Sequence, residues 1–313
     1  MGPSSSASDG EVNEPEAHLL PTAASRTQSA PCVNFRWLDT LWVQVAGTLC
    51  NIACRHCFIT CGPKAFEIPM MTVGQVETAL EQGRALGVRQ IYYTGGEPFL
   101  HPQIHQLTEA AIAIAALTIV TNALLLDELT VRWLAGVFEN SRYSLDLRVS
   151  LDGMTREQND PVRGRGTFDE IVAAISRLAR AGISPVVTVV EHEEGLAGSD
   201  ARSRFLDFIR SLGVPRPRLK FLPLLRIGRE ERRTHGYKTA NALMGEQLPS
   251  DVESTLLCAN SRAVTARGVF TCPILVKHPT ARMGKEVADG LRAIQLDWSA
   301  CQTCVLEGLR CNT

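Results

Sequence analysis

The chain has 313 residues, 45% of them hydrophobic, and its 32 basic and 33 acidic residues give a formal net charge of −1. This size allows one large domain or two smaller ones, and the balanced charge gives no indication of a nucleic-acid or anionic-membrane partner. The longest apolar stretch, residues 110–126, is too short for a membrane span and predicts a buried helix that runs into a strand. The acidic N-terminus has no apolar run typical of a secretory signal, so we expect a reducing, cytoplasmic location.

Strand and helix signals alternate along most of the chain. Residues 1–34 are rich in Ser, Ala, Pro and Glu and are expected to form a disordered tail. Strands are predicted at 41–46, 90–93, 117–121, 145–151, 185–190 and 219–224, and helices at 72–86 (with Thr72 as N-cap), 103–115, 129–138, 168–180 and 202–212. Six strands with helices between them predict an α/β fold, a parallel sheet curved into a partial (β/α)6 TIM-like barrel over residues 35–225. In such barrels the loops after the strands carry the chemistry.

Three cysteines follow the first predicted strand with the spacing C-x3-C-x2-C: Cys50, Cys54 and Cys57. Cubane iron–sulfur clusters usually take one thiolate per iron, so three thiolates in one loop hold three irons and leave the fourth open. The alternatives are a zinc knuckle or three unrelated thiols. Zinc favours paired C-x2-C units, which the C-x3-C gap fits poorly.

A second motif, Thr94-Gly95-Gly96-Glu97-Pro98, follows the second predicted strand. With the cysteine loop and the six strands, it makes the chain resemble the radical S-adenosylmethionine (radical SAM) enzymes over residues 40–225. The resemblance implies a [4Fe–4S] cluster whose open iron chelates the amino and carboxylate groups of SAM. One electron, from a donor such as flavodoxin or ferredoxin, then cleaves SAM to a 5′-deoxyadenosyl radical that abstracts hydrogen from a substrate.

The residue types in the glycine turn suit ligand binding on physical grounds as well. Gly95 and Gly96 allow the backbone to approach a ligand closely, and the Glu97 carboxylate can accept from an ammonium group. By resemblance, this turn with Pro98 meets the SAM amino group. A plain strand-to-helix turn is the alternative.

Further SAM contacts are implied after the third and fourth strands. Ser150 and Asp152 point to one face of their strand, and the resemblance favours Ser150 as a SAM contact, whereas Asp152 is either a second contact or the cap of an Asp-Gly turn. Arg163 resembles the arginine that pairs with the SAM carboxylate, for which a guanidinium fork is suited; a surface arginine is the alternative. Asn122 resembles a position that lines the site, although Ala123 stands where many members have glycine.

The pattern changes after residue 225, and residues 226–313 are predicted to form a small cysteine-rich domain. Its cysteines resemble the ligands of the twitch/SPASM auxiliary-cluster domains, in which four thiolates would hold one auxiliary [4Fe–4S] cluster. Seven cysteines would be needed for the full SPASM form, so the single-cluster twitch form is favoured. A structural zinc on the same thiolates is the alternative. The four implied ligands are Cys258, Cys272, Cys301 and Cys304, and Cys311 either replaces one of them or is spare.

Cys61 lies four residues beyond Cys57 and is the candidate catalytic residue, either as a hydrogen-atom donor to a substrate radical or only as a packing group. His56 is expected to be a solvated loop residue.

The leading hypothesis is a radical SAM oxidoreductase that dehydrogenates, epimerises or crosslinks a small molecule or a peptide, with a mild preference for a small substrate. A non-catalytic iron–sulfur electron-transfer protein and a zinc-stabilised binding module are the alternatives. The oligomeric state is not predicted.

Overall fold

The computed structural model describes residues 30–192, 199–238, 243 and 248–310. Residues 1–29 of the predicted tail and Cys311 therefore lie outside the described residues. The strands are β1 (Cys32–Val33), β2 (Thr40–Val43), β3 (Gln90–Tyr93), β4 (Ala116–Thr121), β5 (Leu145–Ser150), β6 (Val186–Glu191), β7 (Arg218–Pro223), β8 (Ser261–Thr265), β9 (Gly268–Phe270), β10 (Arg282–Gly284) and β11 (Ile294–Gln295). The α-helices are α1 (Val73–Ala85), α2 (Ile104–Ile112), α3 (Glu128–Asn140), α4 (Arg156–Arg163), α5 (Thr167–Arg180), α6 (Ser199–Ser211), α7 (Glu231–Thr234), α8 (Ser250–Thr255) and α9 (Cys301–Leu306).

Strands β2 to β7 lie side by side in chain order and pair in parallel, which confirms the predicted α/β sheet. Alternation along each strand separates two layers. Leu41 and Val43 of β2 pack outward into the main core against the helices, whereas Trp42 between them faces the interior of the curved sheet. Among the helices in the described ranges, none has both the length and the apolar character needed to cross a membrane.

Local signals account for most of the helix boundaries. α1 begins after Thr72, whose hydroxyl accepts from the Gln75 backbone in a capping box, as the sequence predicts. α3 begins after Asp127, whose carboxylate caps the Thr130 amide. α4 was not predicted, because Pro161 in its interior is a helix-breaking signal in the sequence.

The C-terminal segment continues the barrel sheet rather than standing apart from it. β8 pairs in parallel with β2, and β9 and β10 extend the sheet in antiparallel fashion to nine strands within the described residues. β1 pairs with β11, so residues 32–33, which were predicted to belong to the disordered tail, form an ordered strand. Val33 is buried there, and this packing corrects the predicted end of the tail.

Candidate functional site

The three cysteines of the first motif lie in an irregular loop that follows β2. The amide of Cys50 donates to the carbonyl of Gly62 (3.2 Å), and the amide of Cys57 donates to the carbonyl of Cys54 (3.2 Å). All three cysteines line one cavity of about 240 Å³ at the carboxyl ends of the barrel strands. The spacing predicted from the sequence therefore brings three thiols to one space.

The thiols of this loop have different electrostatic surroundings. Burial raises the pKa of Cys50 to about 12, and burial also raises the pKa of Cys54. In contrast, hydrogen bonds from the Cys61 thiol and backbone lower the pKa of Cys57 to about 6. Metal coordination would deprotonate all three thiols, because the positive charge of a bound metal stabilises thiolate.

Two buried donors approach the cysteine sulfurs. Asn122 Nδ2 lies 3.6 Å from Cys50 Sγ, and Arg163 Nη1 lies 3.9 Å from Cys54 Sγ. Hydrogen bonds and positive charge near cluster sulfurs stabilise an anionic iron–sulfur centre. Three thiols on one cavity, with donors directed at two of them, fit a three-cysteine [4Fe–4S] cluster.

The glycine turn after β3 packs directly on the cysteine loop. The amide of Gly96 donates to the Gly47 carbonyl (2.9 Å), and the amide of Glu97 donates to the Leu49 carbonyl (3.0 Å). A Cβ atom at Gly96 would overlap the carbonyl oxygen of Leu49. Only glycine allows this close approach, so the second motif supports the first.

Glu97 is completely buried and faces protein donors. Its carboxylate accepts from the Asn122 amide (2.8 Å), the Thr121 hydroxyl (2.8 Å) and the Phe99 amide (3.1 Å). Burial raises the pKa of Glu97 to about 7 despite these bonds. Of the predicted SAM-contacting turn, Gly95 and Gly96 are among the cavity-lining residues, whereas Glu97 and Pro98 are not.

Asp152 is the centre of a buried ion-pair network. Its Oδ2 lies 2.5 Å from His56 Nε2 and 2.8 Å from Arg163 Nε, and its Oδ1 accepts from the Val190 amide (2.8 Å). Burial alone would raise the pKa of Asp152, but Arg163 and His56 outweigh burial and hold it below its ordinary value. His56 was expected to be solvated, and this was wrong, because its side chain is only 10% exposed and is bonded to Asp152.

The other predicted SAM contacts converge on the same cavity. Asn122 directly after β4, Ser150 on β5 and Arg163 on α4 line it. Arg163 is 5% exposed, which rules out a surface arginine. Cys61 also lines the cavity, and its thiol lies 3.8 Å from the Gly95 carbonyl. Its bond to Cys57, together with burial, raises the pKa of Cys61 well above its ordinary value.

Arg229, beyond β7, is a residue of the site that the sequence did not indicate. Its Nη1 donates to the Cys54 carbonyl (2.8 Å), its Nη2 donates to the Cys61 carbonyl, and its amide donates to the Cys57 carbonyl (3.2 Å). Gly228 before it has φ +66, and a Cβ atom there would overlap the carbonyl oxygens of Cys57 and Phe58. The only sequence signal is a Gly-Arg pair in a polar segment, and neither residue type alone predicts a contact 175 residues away.

Four cysteines of the C-terminal set gather near the barrel. Cys301 and Cys304 lie one turn apart on α9, and burial raises the pKa of Cys301, with further increases from neighbouring Cys272 and Cys258. Pro273 and Ile274, directly after Cys272, line the cavity of the cysteine loop. In the described ranges, no three His, Cys, Asp or Glu side chains converge as the ligands of a single metal ion.

Comparison with known families gives a match that covers the cysteine loop and most of the barrel. The model of the radical SAM superfamily matches residues 45–192. The chain is 30% identical over 154 residues to the mycofactocin maturase MftC of Mycobacterium tuberculosis, which is 48% of this chain and 37% of that protein. It is 33% identical over 141 residues to the GTP 3′,8-cyclase of Chlorobaculum tepidum, covering 44% of this chain and 40% of the cyclase. The chain thus spans less than half the length of these two relatives.

Solved structures share the fold over a longer stretch. The crystal structure of Streptococcus suis SuiB bound to precursor peptide SuiA has a TM-score of 0.62 at 16% identity, covering 82% of this chain and 65% of SuiB. Native anSMEcpe with bound AdoMet has a TM-score of 0.60 at 14% identity, covering 84% of this chain and 82% of anSMEcpe. At such low identity, these similarities establish the fold alone.

Replacing Gly96 by alanine tests the packing of the turn on the cysteine loop. The added methyl group must displace the Leu49 carbonyl, so we expect Gly96→Ala protein to lose the iron bound by Cys50, Cys54 and Cys57 after anaerobic reconstitution, up to about half of the wild-type iron if a second cluster is present. Gly74→Ala is the matched control, because no atom lies within 4 Å of a Cβ there. Equal iron contents in the two variants would contradict the role of this contact.

Replacing Asp152 by asparagine tests the buried ion-pair network. Removing one partner leaves the Arg163 cation buried without its carboxylate, which is expected to lower the free energy of unfolding by about 3–5 kcal/mol. A carboxyl with a lowered pKa contributes stability above its unfolded pKa and loses it as the pH falls, so denaturant unfolding at pH 7 captures the whole effect. Asp169→Asn, which breaks an exposed pair with Arg156, should change stability little. Similar losses in both variants would contradict the prediction.

Proposed function

Because the chain belongs to the radical SAM superfamily through residues 45–192, we propose that it cleaves SAM reductively and abstracts hydrogen from a substrate. Cys50, Cys54 and Cys57 would hold the [4Fe–4S] cluster, which when bound supplies the electron for this cleavage. The single observation that carries the proposal is that these three thiols and the Gly95–Gly96 turn line one cavity.

The chain's own residues would bind and orient SAM around that cavity. Ser150 and Arg163 are proposed to contact its polar end, and Asn122 is proposed to hold the loop through Cys50. Arg163 Nε lies against Asp152 and Nη1 lies against the Cys54 sulfur, so Nη2 is the nitrogen that we propose meets the SAM carboxylate. Asp152 would orient Arg163 without contacting SAM.

The substrate that we propose is a peptide. The matched relative MftC is a maturase, and SuiB and anSMEcpe were solved with bound peptides. A small-molecule substrate is the second candidate, since the chain is also similar to GTP 3′,8-cyclases.

We further propose that Cys258, Cys272, Cys301 and Cys304 hold an auxiliary cluster, and that a flavodoxin or ferredoxin supplies electrons.

Anaerobic purification and reconstitution test the enzyme directly. The proposed protein is brown, binds about eight iron atoms per chain in two cubane clusters, and releases 5′-deoxyadenosine when SAM and dithionite are added. An iron–sulfur electron-transfer protein would be brown but would leave SAM intact, and a zinc module would be colourless. A fully reconstituted protein that forms no 5′-deoxyadenosine contradicts the proposal.

Two cysteine variants separate the two proposed clusters. Cys54→Ala should abolish SAM cleavage, because the open-site cluster loses a ligand. Cys301→Ala should halve the bound iron and leave SAM cleavage that is not coupled to product. Iron and 5′-deoxyadenosine are measured on the same preparations. An unchanged iron content in Cys301→Ala protein would show that the auxiliary-cluster assignment is wrong.

Cys61 is proposed as a hydrogen-atom donor to a substrate radical. Its thiol lines the cavity, and its raised pKa keeps the S–H bond that a donor needs. Donation breaks this S–H bond and forms a substrate C–H bond, leaving a thiyl radical that one electron and one proton restore. In deuterium oxide, we expect the wild type to place one deuterium in the product and Cys61→Ala protein to place none. An unlabelled wild-type product would contradict this role.

A further inference from the structure

Arg262 on β8 carries a positive charge inside the molecule, and its side chain is 0% exposed. The described hydrogen bonds of its guanidinium all go to neutral backbone carbonyls. Nε donates to Gly290 (2.5 Å), Nη1 donates to Cys258 and Ser261 (both 2.6 Å), and Nη2 donates to Arg292 (2.8 Å). These bonds satisfy the N–H groups but do not neutralise the charge. A buried charge is costly unless an opposite charge lies near it, so an anion is expected beside this arginine.

The charges that act on Arg262 within the described residues do not come from a carboxylate. Burial lowers the pKa of Arg262 to about 10, Cys258 and Cys272 raise it, and the neighbouring Arg292 lowers it. The Phe35 ring lies with its centroid 4.2 Å from the guanidinium carbon and supplies only the modest attraction of an aromatic face. The two cysteines are therefore the groups that can supply the compensating negative charge.

The fold brings both of these cysteines to the arginine. Cys258 precedes β8, and its carbonyl is one of the acceptors of the guanidinium. β8 pairs with β9 in a register that places Ala263 opposite Phe270, so Cys272, two residues beyond Phe270, lies beside the start of β8. Arg262 is thus held between two members of the second cysteine set.

A thiol compensates a cation only when it has lost its proton. Metal coordination deprotonates cysteine outright, because the bound metal stabilises the thiolate. Four thiolates carry more negative charge than a zinc ion or an oxidised [4Fe–4S] core carries positive charge. The metal-loaded set is therefore anionic. Asp297, whose charge also acts on Cys301, is exposed, so solvent screens it more than it screens Arg262.

We propose that Arg262 is the counter-charge of the auxiliary cluster held by Cys258, Cys272, Cys301 and Cys304, and that its charge raises the reduction potential of that cluster. Reduction adds an electron to a centre that is already anionic, so a buried cation beside it favours the reduced state. This proposal rests on the auxiliary cluster of the proposed function. It extends that function by naming the residue that sets the potential of the cluster.

Two substitutions of Arg262 separate its charge from its hydrogen bonds. Arg262→Lys keeps the positive charge and loses the planar fork, whereas Arg262→Met loses both. The reduced fraction of the cluster is followed by EPR in a redox titration of the reconstituted full chain, in a Cys54→Ala background that leaves only the auxiliary cluster.

At the midpoint potential of that parent, we expect Arg262→Met to lower the ratio of reduced to oxidised cluster about tenfold, a shift of about 59 mV to lower potential for one electron. Arg262→Lys should change the ratio by less than about threefold, because the charge stays. Arg292→Gln is the control, since this neighbouring arginine is exposed and its charge is screened; the ratio should stay close to that of the parent.

A second pair of variants leaves Arg262 and its bonds in place. Phe35→Glu puts a carboxylate beside the guanidinium, and Phe35→Gln is the uncharged control of the same shape. Because Phe35 is only half-buried and lies between two exposed residues, both variants are expected to fold. We expect Phe35→Glu to lower the ratio about three- to tenfold relative to Phe35→Gln, since the added carboxylate neutralises the arginine.

Equal potentials in the two Phe35 variants overturn the proposal, and they decide the question even if neither Arg262 variant binds iron. Equal potentials in Arg262→Lys and Arg262→Met also overturn it, since a purely structural arginine gives that result. A colourless zinc site overturns it together with the auxiliary-cluster assignment. Formation of 5′-deoxyadenosine by the wild type is measured separately, so each of these outcomes is distinguishable from failure of SAM cleavage.

Discussion

The site depends on one constraint: the cysteine loop has almost no regular structure of its own, so its backbone groups must be bonded by distant segments. The glycine turn donates to the carbonyls of Gly47 and Leu49, and Arg229 donates to those of Cys54 and Cys57. A buried carbonyl without a partner is costly, so these bonds set the shape of the loop. Three thiols reach one cavity because segments from opposite ends of the barrel support the loop between them.

Charge within the site is arranged in a similar way. Arg163 is buried beside Cys54 and forms an ion pair with Asp152. The Asp152 carboxylate also bonds His56, which lies within the cysteine loop. One carboxylate therefore links the loop to α4 and, through the Val190 amide, to β6. The guanidinium is held by Asp152 through Nε and directs Nη1 at the Cys54 sulfur. This arrangement preorganises positive charge where an anionic cluster and a carboxylate are proposed to bind.

The C-terminal segment completes the cavity as well as carrying the second cysteine set. β8 continues the sheet beside β2, so the segment is joined to the barrel through a shared strand ladder. Arg262 on β8 is fully buried and donates to the carbonyls of Cys258, Gly290 and Arg292, which ties the cysteine-bearing turns to the sheet. Ile274 then extends from this segment into the cavity wall. The same segment therefore lines the cavity and carries the second cysteine set.

The sequence by itself determined the six barrel strands, most helix boundaries and the two motifs, because hydrophobic periodicity, caps and short spacings are local signals. It also indicated Asn122, Ser150 and Arg163, through the resemblance of these positions to the site residues of radical SAM enzymes. Only the tertiary structure revealed Arg229 and the bond between His56 and Asp152. These features depend on contacts between residues far apart in the chain, which no local pattern encodes. The same reason explains why no strands were predicted for residues 226–313, although β8, β9 and β10 extend the barrel sheet.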